Sequence, residues 1–185
     1  VAFCFIYQAN LDLLRALGAE LRFFSPLAEA RLPEADSLYL PGGQLELHLP
    51  ALAANTALLS AVRAHHRAGR PLLAEGGGLL YLLEALTGAD GARHRLTGVL
   101  PGEARIGSQL RALGPQRLAL PEGELRGNSF HYATVTTSAP TVAHGVCPNG
   151  GPTAEPVYRQ DRLTASSAQL YFPSNPEAIA RLLLP

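Results

Sequence analysis

The chain has 185 residues, of which 47% are hydrophobic and 16% are charged, and its 15 basic and 15 acidic side chains give a formal net charge of zero. This balance offers no argument for nucleic acid or an anionic membrane as a partner. No apolar run approaches the length of a bilayer span, and we expect neither a membrane segment nor a signal peptide. The length predicts one domain over residues 1–185 with a substantial buried core.

The basic residues are all arginine, and the absence of lysine excludes several kinds of site. Neither a P-loop lysine, a Schiff-base lysine nor a kinase-type lysine can lie within this chain. Cys4 and Cys147 are too few for a disulfide framework, so we expect a reducing, cytoplasmic compartment. Cys4 stands in an apolar stretch and is expected to pack as a small hydrophobic residue.

The first part of the chain predicts helices alternating with short strands. Residues 1–7 are apolar enough for a buried strand, but a helix within residues 1–17 is favoured, because Gly18 is a good stop and six apolar residues fall on one helical face: Phe3, Ile6, Tyr7, Leu11, Leu14 and Leu17. Short strands are expected at 21–24 and 37–40. A long amphipathic helix is expected between Glu46 and Ala68, with Gly69 as its stop.

Residues 70–86, which read RPLLAEGGGLLYLLEAL, predict the element around which the chain is organised. An apolar strand runs into Glu75 and three glycines, and a helical pattern then continues to about Leu86. Such a strand–turn–helix elbow presents one residue above the end of a parallel sheet, usually a nucleophilic Ser or Cys. The residue at this apex is Gly76, which has no side chain.

The second half predicts mainly strands separated by Gly- and Pro-rich turns. They are expected at 98–102, 117–120, 130–136, 157–159 and 163–172, with a surface loop at 87–95 and a long loop at 142–156. A last helix is predicted from the Asn175 cap and Pro176 to about Leu184. This order favours an α/β sheet with an antiparallel extension.

Six stretches resemble, in order, the glutamine amidotransferase domain of the cobyrinic acid a,c-diamide synthase family. They are AFCFIYQANLDLLRALGAELRFFSPL, LYLPGGQLELH, AEGGGLLYL (AECGG in the family), GVLPGEAR, RGNSFHYA and ASSAQLYFPSNPE. The resemblance implies a class I amidotransferase fold, a flavodoxin-like three-layer α/β sandwich with a mixed sheet. It also implies glutamine hydrolysis by a cysteine, a histidine base and two oxyanion-hole amides.

The resemblance further implies a partner that this chain does not contain. In the family an ATP-dependent synthetase domain uses the released ammonia to amidate corrin carboxylates. We expect such a domain on the N-terminal side, in cis or in trans, and ATP and Mg²⁺ would belong to it. No cofactor is therefore expected within this chain.

Two departures from the family pattern predict that glutamine hydrolysis is lost. Gly76 stands at the position of the cysteine nucleophile, and Gln169 stands where the pattern places the histidine base. A carboxamide does not take up a proton near neutral pH, so Gln169 cannot replace a base. What would remain is an oxyanion hole made by the amides of Gly43 and Gly77, and glutamine is the small molecule that such a site would bind.

Other candidates leave alternatives open. Glu75 is either a buried acid that positions the turn or a strand-end carboxylate, and His131 is either a strand histidine packed between Phe130 and Tyr132 or a residue at the interface with the synthetase. No metal site is expected, because Cys147 with nearby His144 gives too few ligands. The chain could alternatively be a divergent hydrolase or lyase, with water held by Glu75 or His131, or a small-molecule binding module that reuses the elbow.

Overall fold

The computed structural model describes residues 2–149 and 155–184. The first half contains, in order, α1 (Gln8–Ala16), β1 (Leu38–Leu40), a 3₁₀ turn (Leu45–His48), α2 (Leu49–Ala54), α3 (Thr56–Arg67), β2 (Leu72–Glu75) and α4 (Gly77–Leu82). The second half contains β3 (Ala85–Thr87), β4 (Arg93–Arg95), β5 (Glu103–Ile106), β6 (Ala112–Leu120), β7 (Gly123–His131), β8 (Ala133–Thr136), β9 (Thr141–His144), β10 (Pro156–Gln160), β11 (Leu163–Ser166), β12 (Gln169–Tyr171), a 3₁₀ turn (Phe172–Ser174) and α5 (Pro176–Leu183).

Three sheets organise the described strands. The central sheet has the order β1-β2-β11-β10-β9, in which β1 and β11 run parallel to β2, and β10 runs antiparallel to β11 and β9. Every residue of β2 and β11 is buried, as is usual for parallel strands covered on both faces. The sheets β12-β7-β6 and β4-β3-β5-β8 add antiparallel pairs, so the predicted α/β architecture with a mixed sheet and an antiparallel extension is confirmed.

The N-terminal predictions are only partly right. The helix begins at Gln8 rather than near residue 1, because Phe5 forms an antiparallel bridge with Gly42 and holds the preceding residues extended along the glycine turn. Phe3 packs edge-to-face against the buried ring of Tyr81, with centroids 5.4 Å apart. The strand predicted at 21–24 is wrong, since no strand forms there.

The single long helix predicted within 46–68 is also wrong, because the chain turns at Asn55. The side chain of Asn55 accepts a hydrogen bond from the Leu58 amide and so caps α3. Its amide nitrogen donates to the carbonyls of Pro26 and Glu29. These hydrogen bonds stabilise the turn between α2 and α3, which the apolar periodicity alone does not predict.

Several bounds in the second half differ from prediction, most of them because strand pairing extends into these stretches. Helix α4 ends at Leu82 instead of 86, since 85–87 pair with β4 and β5; the predicted loop at 87–95 therefore contains β4. Residues 98–102 form a turn rather than a strand, and 142–156 open with β9; 150–154 lie outside the described residues. The stretch 163–172 divides into β11 and β12, which belong to different sheets. The final helix, capped by Asn175, is confirmed.

Among the described residues, no single helix has the length and apolar composition to cross a membrane. The segments Leu45–Ala54 and Thr56–Arg67 meet that test only when taken together, and they are bent by 93° at their junction.

Candidate functional site

The candidate site lies where the three parallel strands end. Strand β1 is followed by the Gly42–Gly43 turn, β2 by the glycine elbow at Gly76, and β11 by Ser167. Because parallel strands end at the same edge of the sheet, these three connections meet there, which is where α/β proteins most often bind ligands.

The elbow keeps the backbone of a nucleophile-bearing turn. Gly76 has φ 49° and ψ −112°, and α4 begins at the next residue. This conformation is strained for any residue with a side chain, by about 1–3 kcal/mol, and glycine adopts it freely. A Cβ atom placed on Gly76 would lie 3.4 Å from the Cα of Gly42 and 3.8 Å from the carbonyl oxygen of Ser167. The apex therefore has room for a side chain that this sequence does not supply.

Close backbone packing brings the two proposed oxyanion-hole residues together. A Cβ on Gly77 would lie 3.2 Å from the amide nitrogen of Gly43, so the two segments are in contact. A Cβ on Gly43 would collide with the carbonyl oxygen of Ala2 at 1.9 Å. The glycine turn is thus held between the N-terminal segment and the start of α4, and only residues without side chains fit this arrangement.

Gln169, the residue at the predicted base position, reaches the same place. Its amide nitrogen lies 3.1 Å from the point that a Cβ on Gly42 would occupy, and Gly42 in turn borders the apex at Gly76. The structure therefore brings together Gly43, Gly76, Gly77 and Gln169. The first and the last of these are 126 positions apart in the sequence. Tyr171, two residues on, projects to the surface and packs edge-to-face on Tyr7.

Two buried side chains hold strand β12, which carries Gln169. Asn10 of α1 donates to the carbonyl of Leu170 and accepts from the amide of Phe172, both at 2.8 Å. Glu75 accepts from the amide of Leu170 at 3.1 Å. One edge of β12 pairs with β7, so these side chains satisfy backbone groups on the other edge, which would otherwise be buried without partners. Sequence reasoning missed Asn10. The only signal in the sequence is its position four residues before Leu14, which places a polar side chain on the buried side of α1.

Glu75 is a buried carboxyl with both oxygens occupied. One oxygen accepts from the Leu170 amide and the other from the Tyr39 hydroxyl at 2.8 Å. Burial raises the pKa of Glu75 to about 8, although the two hydrogen bonds act in the opposite direction. The geometry favours the interpretation of Glu75 as an acid that positions the turn, because it joins β1, β2 and β12 immediately before the apex.

His131 lies beside the elbow rather than in it. Its Nε2 is 3.0 Å from a carboxylate oxygen of buried Glu155, and its Nδ1 is 3.1 Å from the carbonyl oxygen of Ala133. Because a carbonyl oxygen only accepts, the contact with Ala133 is a hydrogen bond when Nδ1 carries the hydrogen. The expected packing of His131 between Phe130 and Tyr132 is wrong: those two rings pack on each other, 5.7 Å apart, because neighbouring strand residues face opposite sides.

His131 and Glu155 line an open cleft of about 260 Å³ that also includes Arg111, Tyr158 and Ser167. Through Ser167 the cleft borders the elbow. Glu155 lies in a Gly- and Pro-rich stretch 24 residues after His131, and no local sequence signal relates the two.

Neither cysteine stands at the apex of the elbow, which is Gly76, although Cys4 lies between Phe3 and Phe5, which contact the Gly42–Gly43 turn. Cys4 is exposed, contrary to the expectation that it packs as a hydrophobic residue, and Cys147 is partly buried after the Arg117–Val146 bridge. The described part of the chain contains no cluster of three or more His, Cys, Asp or Glu residues that could hold a metal ion.

Comparison with known proteins agrees with this geometry. Residues 2–167 match the CobB/CobQ-like glutamine amidotransferase domain. The chain is 59% identical over its whole length to hydrogenobyrinate a,c-diamide synthase of Pseudomonas aeruginosa, of which it covers 42%. It is 43% identical over its whole length to cobyrinate a,c-diamide synthase of Herminiimonas arsenicoxydans, again covering 42%. The chain thus spans less than half the length of these curated relatives.

Solved structures show the same fold at low sequence identity. A crystal structure of a glutamine amidotransferase superposes with a TM-score of 0.60 at 19% identity, covering 95% of this chain and 91% of that one. This similarity supports the predicted class I, flavodoxin-like α/β fold. The match over residues 2–167 and the relatives aligned along the whole chain lead to one conclusion: this chain belongs to the family of CobB/CobQ-like glutamine amidotransferase domains.

Proposed function

We propose that this chain is the amidotransferase domain of a corrin a,c-diamide synthase of cobalamin biosynthesis and that it does not hydrolyse glutamine. The names and whole-chain identity of its relatives support the first part. The observation that carries the second part is Gly76, a residue without a side chain at the apex of an elbow that has kept its backbone geometry.

The chemistry of the elbow explains the proposed loss. Glutamine hydrolysis by a class I amidotransferase requires a thiolate that attacks the side-chain carbonyl and a base that takes the thiol proton. Gly76 offers no sulfur, and the carboxamide of Gln169 takes up no proton. Amides such as those of Gly43 and Gly77 stabilise an oxyanion only after a nucleophile has attacked. In a protease stripped of nucleophile and base, only about 10³–10⁴-fold acceleration over water remains.

A domain of this kind would act as a structural or regulatory partner of an ATP-dependent synthetase that uses free ammonia. The relatives support such a partner, because more than half of each lies outside the part that this chain matches. ATP and Mg²⁺ would be bound by that partner.

The direct test measures glutamate released from glutamine by the purified chain. We expect release at the level of the blank. The double variant Gly76→Cys/Gln169→His should raise the rate by at least about 10²-fold, the lower end of what a positioned general base contributes. Its matched control is Gly76→Ala/Gln169→His, which carries the same backbone strain without a thiol and should stay at the blank. Turnover by the unmodified chain that Cys4→Ser or Cys147→Ser abolishes would refute the proposal.

The alternative of an acid–base enzyme has less support. Glu75 is fully buried and each of its oxygens already accepts a hydrogen bond within the protein, which favours a structural role over holding a water at the apex. His131 is engaged with Glu155 and Ala133. A module that only binds glutamine is separated from the proposal by calorimetric titration at millimolar glutamine: binding heat would favour the module, and its absence would exclude it.

A further inference from the structure

The sheet β12-β7-β6 has one buried and one open side. Along β6 and β7 buried side chains alternate with more accessible ones: Leu118, Leu125 and Ser129 are fully buried, whereas Glu124, Arg126 and Phe130 are exposed and Asn128 is half-buried. Paired residues of an antiparallel sheet share a side, so the pairs Leu113–Phe130, Gln169–Asn128 and Tyr171–Arg126 all face outwards. We call this side the outer face, defined by Leu113, Pro115, Arg126, Phe130, Gln169 and Tyr171.

The outer face exposes more large apolar side chains than a free surface requires. Leu113 is 62% exposed, its partner Phe130 51% and Tyr171 43%. Tyr132 packs edge-to-face on Phe130, and Tyr7 does the same on Tyr171. Among the described residues, every exposed aromatic side chain except that of Phe23 and that of Phe5 is therefore on the outer face or in contact with it. Exposed apolar groups gathered on one side of a sheet in this way are typical of contact surfaces.

Phe5 extends the same apolar surface to the elbow. Its Cβ lies 3.4 Å from the point that a Cβ on Gly42 would occupy, and the side-chain amide nitrogen of Gln169 lies 3.1 Å from the same point. Gln169 is thus both an outer-face residue and a neighbour of the apex. A partner seated on the outer face would cover the elbow at the same time.

The charge on the outer face indicates what kind of partner fits. Arg117 is paired with Glu124 at 3.6 Å, whereas Arg126, directly opposite Tyr171, forms no ion pair with the described residues. A guanidinium beside aromatic rings is a common anchor in protein interfaces. It favours a partner that brings a carboxylate and apolar side chains, whereas a symmetric contact of this face with a second copy would supply no carboxylate free to pair with Arg126.

We propose that the outer face is the surface on which the rest of the synthase docks, that is, the part that the curated relatives carry outside the region matched by this chain. This rests on the proposed function for the identity of the partner. The occupant is a protein domain with an acidic and apolar contact surface. Its docking closes the mouth of the elbow next to Gln169.

The test compares hydroxyl-radical labelling, measured by mass spectrometry, in two proteins. One is this chain alone; the other is the full-length Pseudomonas aeruginosa synthase with its matching region replaced by this chain. Phe130 and Tyr171 should be labelled at least fivefold less in the full-length protein, while the exposed ring of Phe23 should be labelled equally in both. In the full-length protein, Leu113→Glu should restore labelling of Tyr171 to the level of the free chain. The control Phe23→Glu, an exposed site away from this surface, should leave the protection unchanged.

Two results would overturn the proposal. Equal labelling of Phe130 and Tyr171 in the two proteins would show that the rest of the synthase docks elsewhere. Protection in the chain alone that grows with its concentration, together with a dimer in sedimentation velocity, would assign the face to a second copy. Neither readout depends on glutamine turnover, so a failure of docking is distinguishable from a failure of the proposed glutaminase loss.

Discussion

Substituting Glu75 by glutamine should make the stability of the protein less dependent on pH. Glu75 is the last residue of β2, is fully buried and accepts hydrogen bonds from Tyr39 and from the amide of Leu170. A glutamine of the same shape can accept from the same amide through its oxygen and donate to the tyrosine oxygen through its nitrogen. The substitution therefore removes the titration of this carboxyl while keeping the contacts.

The magnitude follows from the pKa of the carboxyl, which burial raises from 4.5 to about 8. Below the lower value the carboxyl is neutral in both the folded and the unfolded chain, and it costs the fold nothing. Between the two pKa values the unfolded chain loses this proton while the folded protein keeps it, so the stability falls as pH rises from about 4.5 to about 8 and then levels off. At about 1.4 kcal/mol for each pKa unit, the loss by pH 9 is on the order of 5 kcal/mol.

The assay is urea unfolding at a series of pH values from 5 to 9. Glu75→Gln should differ little in stability from the unmodified chain at pH 5 and be more stable at pH 9, with the difference growing up to about pH 8 and then staying constant. The control is Glu103→Gln at an exposed carboxyl whose pKa is lowered by a hydrogen bond from Arg93; it should leave the slope above pH 7 unchanged. Parallel stability curves for Glu75→Gln and the unmodified chain would refute the reasoning.

Two further substitutions test the packing that positions the site, both by urea unfolding at pH 6. Asn10→Ala removes two buried hydrogen bonds to the β12 segment and should lower the free energy of unfolding by about 2–4 kcal/mol. Its control, Gln8→Ala on the exposed side of the same helix, should lower it by less than about 0.5 kcal/mol. A loss below about 1 kcal/mol for Asn10→Ala would show that Asn10 does not support β12. Gly78→Ala places a Cβ 2.1 Å from a carbonyl oxygen of β1 and should lower the free energy of unfolding by more than about 3 kcal/mol or prevent folding. Its control, Gly69→Ala, places a Cβ where no atom lies within 4 Å, so it should cost only the strain of a left-handed backbone, about 1–2 kcal/mol. Equal losses for the two glycines would show that α4 can move away from β1.

Local sequence signals were enough for the elements that have local causes. The strand–glycine–helix succession around Gly76 and the Asn175–Pro176 helix start are each encoded within a few residues, and both are present as predicted. The same holds for the family, because its blocks are short, specific and in order. The absence of a thiol at position 76 is likewise a fact of the sequence.

Long-range contacts decided what the sequence pattern could not. The stretch 163–172 reads as one strand, yet it divides because β11 pairs with buried β2 whereas β12 pairs with β7. Asn55 ends a helix because two distant carbonyls accept its amide hydrogens. Apolar periodicity predicts which side of a helix or strand is buried, but it does not predict which other element packs against that side.

The sequence by itself determined the chemistry that is available at the apex, since a glycine has no reactive atom in any fold. Only the tertiary structure decided that Gln169 lies beside that apex, that Asn10 and Glu75 hold its strand, and that one side of β12-β7-β6 stays open. The physical reason is that such contacts join residues up to 162 positions apart, and their free energy depends on packing and burial that no local pattern encodes.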